Sequence, residues 1–233
     1  MKLDLIAFDA DDTLWHNEPH YRAMERQCLD MLAGYNVSKE ESLAVLHKLE
    51  IDNLPCFGYG VRGFTLSMIE TAVKVTDGKV AGKDVQLIVD QGRALTRYKI
   101  GLLAGVEETL SRLKGRRLLL ITKGDALDQE SKIQRSGLAG YFSGVEIVVD
   151  KTRTAYAAIM KKYDVLPDRF LMVGNSLRSD IVPVLSLGGN AVLVPYATNW
   201  AHEADADLPE DRTRFFEISK FADLPQMIDR IEQ

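Results

Sequence analysis

The stretch LDLIAFDADDTL, residues 3–14, decides the fold. Its first six residues predict a short buried strand, and the residues that follow place three carboxylates within four positions. Side chains alternate along an extended chain end, so Asp9 and Asp11 are predicted to lie on the same side. Carboxylates held this close repel each other unless a divalent cation neutralises them. The stretch therefore indicates a cation site at a strand end, with a solvated acidic turn as the alternative.

Strand patterns alternate with helical patterns through the second half of the chain. Further strands are predicted at residues 117–121, 145–149, 170–173, 191–194 and 215–219, and helices at 125–136, 152–163, 179–187 and from about 223. This alternation predicts right-handed βαβ units and a parallel sheet.

Residues 15–98 break the alternation, because they contain amphipathic helical patterns and no convincing strand. Helices are predicted near residues 18–33, 38–50, 63–76 and 84–98, and Ser38 with Glu41 forms a capping box at the start of the second. The sequence therefore predicts a helical domain over residues 15–98, inserted into a core formed by residues 1–14 and 99–233. Trp15 is expected either to line the site entrance or to be buried at the domain junction.

The composition favours a small-molecule partner. A chain of 233 residues with a net charge of -5 is long enough for one large core and a smaller unit. It has no run of like charges that predicts a nucleic-acid or membrane surface, and no apolar run of the roughly 18 residues that cross a bilayer. The first apolar stretch is too short for a signal peptide, and Cys28 and Cys56 show no disulfide framework or metal spacing. We expect a cytoplasmic protein.

The run LLLITKGD, residues 118–125, leads from a strand through a glycine turn into a helix. Free N–H groups and the helix dipole favour an anion at such a turn, and the Thr122 hydroxyl can donate to a phosphoryl oxygen. A threonine at a strand end is also an ordinary turn or capping residue. The run by itself is compatible with both a phosphate site and a plain turn.

Two more elements each follow a predicted strand. Lys151 opens a helix, where a cation opposes the helix dipole, so it is either a solvated surface lysine or a functional one. The segment MVGNSLRSD, residues 172–180, places Asn175 and Asp180 after a glycine turn. Both offer the hard oxygen ligands that Mg²⁺ prefers, and together with Asp9 they predict a magnesium site. Asp180 is otherwise a favourable charge at a helix start.

Four elements resemble, in their order along the chain, the motif set of the haloacid dehalogenase superfamily: the DxDxT stretch, Thr122, Lys151 and the GNSLRSD segment. The resemblance spans essentially the whole chain. It implies an α/β fold with a Rossmann-like, doubly wound parallel sheet and an inserted α-helical cap domain. In such a sheet the strand before Asn175 lies beside the strand before Asp9, opposite the strand that ends at Thr122.

The resemblance implies a Mg²⁺-dependent phosphomonoester hydrolase that acts on a small phosphorylated metabolite. Asp9 is expected to attack phosphorus and form an aspartyl-phosphate, and Asp11 to protonate the leaving oxygen and then activate water. Thr122, Lys123 and Lys151 are expected to bind the phosphoryl group, and Lys151 also to keep Asp9 ionised.

The resemblance assigns the metal ligands to Asp9, the Asp11 carbonyl, and Asn175 or Asp180. Many family members carry Asp at the position of Asn175, so this chain lacks one negative charge there. The amide oxygen of Asn175 still ligates, which leaves Asp180 either as a direct ligand or as a group that holds metal-bound waters.

Three other functions are compatible with the same motifs. A 2-haloacid dehalogenase has no evident use for Asp11, because departing halide needs no proton. A phosphosugar mutase would return the phosphoryl group to its substrate instead of releasing phosphate. A binding protein without activity is the third alternative, and intact Asp9, Asp11 and Lys151 count against it.

Overall fold

A computed structural model describes residues 2–197 and 206–233, in which the chain forms two compact units. One contains the chain up to Glu18, Ile100–Lys123 and the described residues from Gln129 onward. The other contains Pro19–Lys99 and Gly124–Asp128. Residues 198–205, which the sequence assigned to the core, lie outside the described ranges, and the predicted domain boundaries stay a hypothesis.

The second unit is built on four helices: α1 Glu18–Ala33, α2 Lys39–Phe57, α3 Val61–Val75 and α4 Gly82–Leu95. Their apolar faces meet in one cluster that includes Leu32, Leu46, Met68 and Ile88. The prediction that α2 ends near residue 50 was wrong, since the helix continues through Pro55. The last turns bury little apolar surface and so carry no periodic signal. Pro55 lies close to the end of the helix, so its disturbance is confined to the last turns.

The described residues of the first unit form a six-stranded parallel sheet in the order β3-β2-β1-β4-β5-β6. The strands are β1 Leu5–Phe8, β2 Leu118–Lys123, β3 Gly144–Val148, β4 Phe170–Gly174, β5 Asn190–Leu193 and β6 Phe215–Glu217. β1 lies between β2 and β4, with Phe8 opposite both Leu120 and Val173. The sheet therefore grows outward from β1 in both directions, which confirms the predicted doubly wound, Rossmann-like fold.

The α-helices in the described residues of this unit are α5 Val106–Arg112, α7 Arg153–Lys162, α8 Val182–Leu185 and α9 Leu224–Glu232. Helix α6, Ala126–Ser136, begins in the other unit and belongs to this one from Gln129. A π-helical turn, Leu177–Ile181, leads into α8. Helix α5 was not predicted, because seven residues give too short a stretch for a helical period to stand out.

Helices cover both faces of the sheet, which explains why the central strands are apolar at almost every position. Ile6 and Phe8 of β1 pack into one cluster with residues of α5 and α9. Leu5 and Ala7 point the other way and pack against α7. With both faces covered, polar side chains are left to gather at the strand ends. Within the described ranges, no helix is both long and apolar enough to span a membrane.

Candidate active site

The predicted site residues follow the carboxyl ends of neighbouring strands. Asp9 comes directly after β1, Asn175 directly after β4, and Lys151 shortly after β3. Thr122 and Lys123 are the last residues of β2. Because β1 lies between β2 and β4, these ends meet where the sheet order reverses, which is where doubly wound sheets open a crevice.

Lys151 joins two buried carboxylates. Its ammonium donates to Asp9 Oδ1 and, at 2.7 Å, to Asp180 Oδ1. All three side chains are more than nine-tenths buried, at 4%, 7% and 1% exposure for Lys151, Asp9 and Asp180. One ammonium cannot balance two carboxylates, so the trio keeps an excess of negative charge away from water.

This excess charge acts on the ionisation of Asp9. Burial raises the pKa of Asp9 to about 6; Lys151 opposes the rise, and the neighbouring Asp180 adds to it. For Lys151, burial works against the charged form, but Asp180 and Asp9 outweigh it and raise its pKa above the ordinary value. Lys151 is therefore protonated, and its charge favours the ionised form of Asp9, so the expectation that it keeps Asp9 ionised stays a prediction. Burial and Asp180 together raise the pKa of Asp9 by more than Lys151 lowers it.

The Thr13 hydroxyl lies between Asp9 and Asn175. Its oxygen is 2.8 Å from Asp9 Oδ2 and 3.1 Å from Asn175 Oδ1. A hydroxyl carries a single hydrogen, so it cannot serve both acceptors fully at once. Asp9 Oδ2 and Asn175 Oδ1 thus both lie within hydrogen-bond distance of the Thr13 hydroxyl. Both are hard oxygens of the kind that divalent cations prefer as ligands.

Asp180 is held on both of its oxygens. While Oδ1 accepts from Lys151, Oδ2 accepts from the main-chain N–H of Ser176 at 3.0 Å. The π-helical turn brings the carboxylate so close to Gly174 that a Cβ there would lie 2.2 Å from Asp180 Oδ2. Residue 174 must therefore be glycine if Asp180 is to keep this position.

Asp11 has partners of its own. Its Oδ1 accepts from Trp15 Nε1 at 2.7 Å, and its Oδ2 accepts from Gln129 Nε2 at 2.8 Å and Lys132 Nζ at 2.6 Å. Burial raises the pKa of Asp11, but Lys132, Gln129 and Trp15 outweigh burial, and the net pKa is lowered. Asp9 and Asp11 are thus each paired with a different lysine, and Asp11 is ionised in this arrangement.

Asp12, the third carboxylate of the stretch, organises the start of α1. It accepts hydrogen bonds from the N–H groups of Asn17 at 2.9 Å and Glu18 at 3.0 Å. Its φ of 61° lies in the left-handed region, which aspartate tolerates better than most residues. Burial raises the pKa of Asp12 to about 8, against the pull of these hydrogen bonds.

The remaining predicted residues lie at the end of β2. Thr122 is buried, two positions beyond Leu120, which pairs with the last residue of β1. The Lys123 ammonium donates to Ser179 Oγ at 2.8 Å, beside Asp180. Both residues therefore lie at the same sheet edge as Asp9.

Sequence reasoning missed the partners of Asp11. Lys132 and Gln129 lie on α6, three residues apart and hence on one helix face. Their positions after a strand with a glycine turn offered a weak signal, but a lysine on an amphipathic helix is ordinarily solvated. Of the two expectations for Trp15, burial is correct, since its side chain is fully buried.

Residues 3–185 match the family model of haloacid dehalogenase-like hydrolases. The chain belongs to this family. A haloacid dehalogenase-like family hydrolase from Xanthomonas campestris is 37% identical, covers 98% of this chain and 91% of its own, and superposes with a TM-score of 0.87. The chain is therefore a hydrolase with a haloacid dehalogenase-like fold.

One curated relative is a phosphatase by name, and another is a nucleotidase. The glyceraldehyde 3-phosphate phosphatase of Methanothermobacter thermautotrophicus is 25% identical over 82% of this chain and 85% of its own. The pyrimidine 5'-nucleotidase of Escherichia coli is 26% identical over 98% of this chain and 99% of its own. The family relatives of this chain thus include enzymes that act on small phosphorylated compounds.

Gly174→Ala tests the packing of Asp180 and is expected to lower the free energy of unfolding by about 1–3 kcal/mol. The new methyl group would overlap a carboxylate that is buried and bonded on both oxygens. Urea unfolding measures the change. Gly140→Ala is the matched control, because nothing lies within 4 Å of a Cβ at that position. Equal unfolding midpoints for the two variants would contradict this account of Gly174.

Proposed function

We propose that the chain hydrolyses phosphate monoesters of a small metabolite, with Asp9 as the nucleophile and Mg²⁺ as the cofactor. The observation that carries this proposal is the pair of carboxylates in one short stretch, each with its own buried lysine: Asp9 with Lys151, and Asp11 with Lys132. Two separately held carboxylates provide both a nucleophile and a proton carrier. The phosphatase and nucleotidase names of the two curated relatives support the same reaction.

The two carboxylates divide the chemistry between them. In the first half-reaction an Asp9 oxygen bonds to phosphorus while the bond to the leaving oxygen breaks, and Asp11 gives that oxygen a proton. In the second half-reaction Asp11 takes a proton from water as the water oxygen attacks phosphorus, and the bond to Asp9 breaks to release phosphate. Because Asp11 is ionised in the structure, the proposal requires that it carry a proton when the ester is cleaved; the proton that it takes from water in one cycle is the one that it donates in the next.

The site residues fit Mg²⁺ by their chemistry. Asp9 and Asn175 each place a hard oxygen beside the Thr13 hydroxyl, and with the Asp11 main-chain carbonyl they would form the protein ligands. Within the described ranges no three His, Cys, Asp or Glu side chains form a metal-binding group, so the proposed set depends on this amide and carbonyl. When bound, Mg²⁺ would neutralise negative charge between the nucleophile and the phosphoryl group.

The contacts of Asp180 favour Asn175 as the direct ligand. Asp180 already accepts from Lys151 and from the Ser176 N–H, which suits a residue that fixes the lysine. Lys151 would then hold a phosphoryl oxygen beside Asp9. Thr122 and Lys123, at the end of β2, would hold the others through a hydroxyl and a second ammonium.

Asp11 also separates this proposal from its rivals within the family. A dehalogenase releases halide, which leaves as an anion and needs no proton from Asp11. A phosphosugar mutase uses both carboxylates but returns the phosphoryl group to the sugar, so that the release of inorganic phosphate distinguishes the two. A panel of small phosphate monoesters assayed for phosphate release with purified protein is the direct test.

Asp9→Asn is expected to abolish hydrolysis of an aryl phosphate, because an amide can neither attack phosphorus nor contribute its charge to the metal site. Excess chelator should abolish wild-type turnover as well. Asp4→Asn is the control. Among the ion pairs described, Asp4 takes part only in one with the partly exposed Arg169, so this variant should keep wild-type rates. Turnover in excess chelator would exclude the metal, and turnover by the Asp9 variant would exclude covalent catalysis through Asp9.

Mg²⁺ is expected to bind about tenfold more weakly at pH 5 than at pH 7. The metal binds ionised Asp9, and a pKa of about 6 means that the ionised fraction falls as the pH drops through that value. At Mg²⁺ concentrations well above Kd, the metal-dependent gain in unfolding free energy should shrink by about 1.4 kcal/mol. Denaturant unfolding with and without Mg²⁺ at both pH values measures this. An equal Mg²⁺-dependent gain in unfolding free energy at pH 5 and pH 7 would contradict the assignment of Asp9 as a metal ligand.

Asp11→Asn is expected to lower kcat for an alkyl phosphate by roughly 10²–10⁴, equivalent to about 3–5 kcal/mol of barrier. An aryl ester leaves more easily and should lose less in the phosphorylation step, while loss of phosphate from Asp9 should slow for both. Single-turnover measurements separate the steps. Equal losses of phosphorylation rate for both esters would contradict the acid role, and metal-independent chloride release from a 2-haloacid by wild type would overturn the phosphatase proposal.

A further inference from the structure

We infer that Lys132 is a positioning residue for Asp11, which fixes the carboxylate where it exchanges protons with the leaving oxygen and with water. This inference rests on the proposed phosphatase function. It assigns a role to a residue of α6 that none of the four sequence motifs contains.

Lys132 is unusual because its whole side chain is buried. It is 1% exposed, and its ammonium lies 2.6 Å from Asp11 Oδ2 and 3.2 Å from Asn17 Oδ1. A buried ammonium is unfavourable unless charged and polar groups compensate it. A lysine at an exposed position of the same helix would avoid that cost, so its burial against Asp11 needs a reason.

The contacts around Asp11 restrict its carboxylate from two directions. Lys132 and Gln129, both on α6, donate to Oδ2, while Trp15 donates to Oδ1. Gln129 is itself fixed, because its amide nitrogen also donates to the Lys123 carbonyl at 3.0 Å. With both oxygens engaged from different elements, the carboxylate cannot rotate freely.

Such restraint matters for proton transfer. A general acid or base works only within hydrogen-bond reach of the reacting oxygen, and a displacement of about 1 Å can cost on the order of 10²-fold in rate. The Asp11 side chain is 22% exposed, so it can meet solvent or substrate while Lys132 holds it from the buried side. Lys132 itself acts through Asp11 and exchanges no proton with the substrate.

Lys132→Met tests the inference, because it keeps the length of the side chain and removes the ammonium. Single-turnover rates are measured for an alkyl and an aryl phosphate. We expect alkyl phosphorylation and the release of phosphate from Asp9 to slow by roughly 10- to 100-fold, with aryl phosphorylation little changed. Lys162→Met is the matched control, since it removes a lysine bonded to Glu146 at 2.7 Å on the exposed side of α7, and it should keep wild-type rates.

The double variant Asp11→Asn with Lys132→Met separates positioning from a general structural role. If Lys132 acts through Asp11, its removal should cause no further loss in the Asp11→Asn background. Multiplicative losses, equal losses for the two esters, or wild-type rates in Lys132→Met would each overturn the inference. The double variant lacks the charges of both Asp11 and Lys132, so neither charge is left buried without its partner. If Lys132→Met alone fails to fold, the rates of the double variant and of Asp11→Asn still show whether Lys132 acts through Asp11.

Failure of this inference and failure of the proposed function have different signatures. Wild-type protein that releases no phosphate from any ester would remove the proposed function and the inference with it. Wild-type turnover that depends on Asp11 but is indifferent to Lys132 would remove the inference alone.

Discussion

The ammonium of Lys151 between the carboxylates of Asp9 and Asp180 is the contact on which the arrangement of this site depends. A buried carboxylate is tolerated only near positive charge, and here one cation serves two of them at the meeting point of three strands. The sheet order brings the groups together, and their charge then fixes how they pack. The glycine before Asn175 and the π-helical turn after it are both consequences of fitting Asp180 against that lysine.

The same rule of charge pairing explains why two neighbouring aspartates differ. Burial raises the pKa of Asp9, and Asp180, which shares the same lysine, adds to the rise. For Asp11, Lys132 and two neutral donors outweigh burial, and the pKa is lowered. Environment, and not residue type, thus gives the two carboxylates different pKa values. Asn175 in place of a further acid limits the negative charge that the site must accommodate.

Much of the fold followed from the sequence, because strand and helix periods are local signals. The positions of the strands came from apolar runs, and the placement of β1 between its neighbours came from the family resemblance and is confirmed by the pairing of Phe8. Local signals failed where the structure depends on distant contacts. The burial of Lys132 depends on its contact with Asp11, far away along the chain. The short helix α5 and the exposed last turns of α2 were missed for another reason, because neither gives a clear helical period.

The central place of β1 has a consequence for how the protein is made. β1 leaves the ribosome long before its partners β2 and β4, which begin at Leu118 and Phe170. Until both have been synthesised, this apolar strand has no neighbour to pair with, and the three aspartates that follow it lack Lys132 and Lys151. The sheet must therefore form late and through long-range contacts, which slows folding and exposes β1 to aggregation.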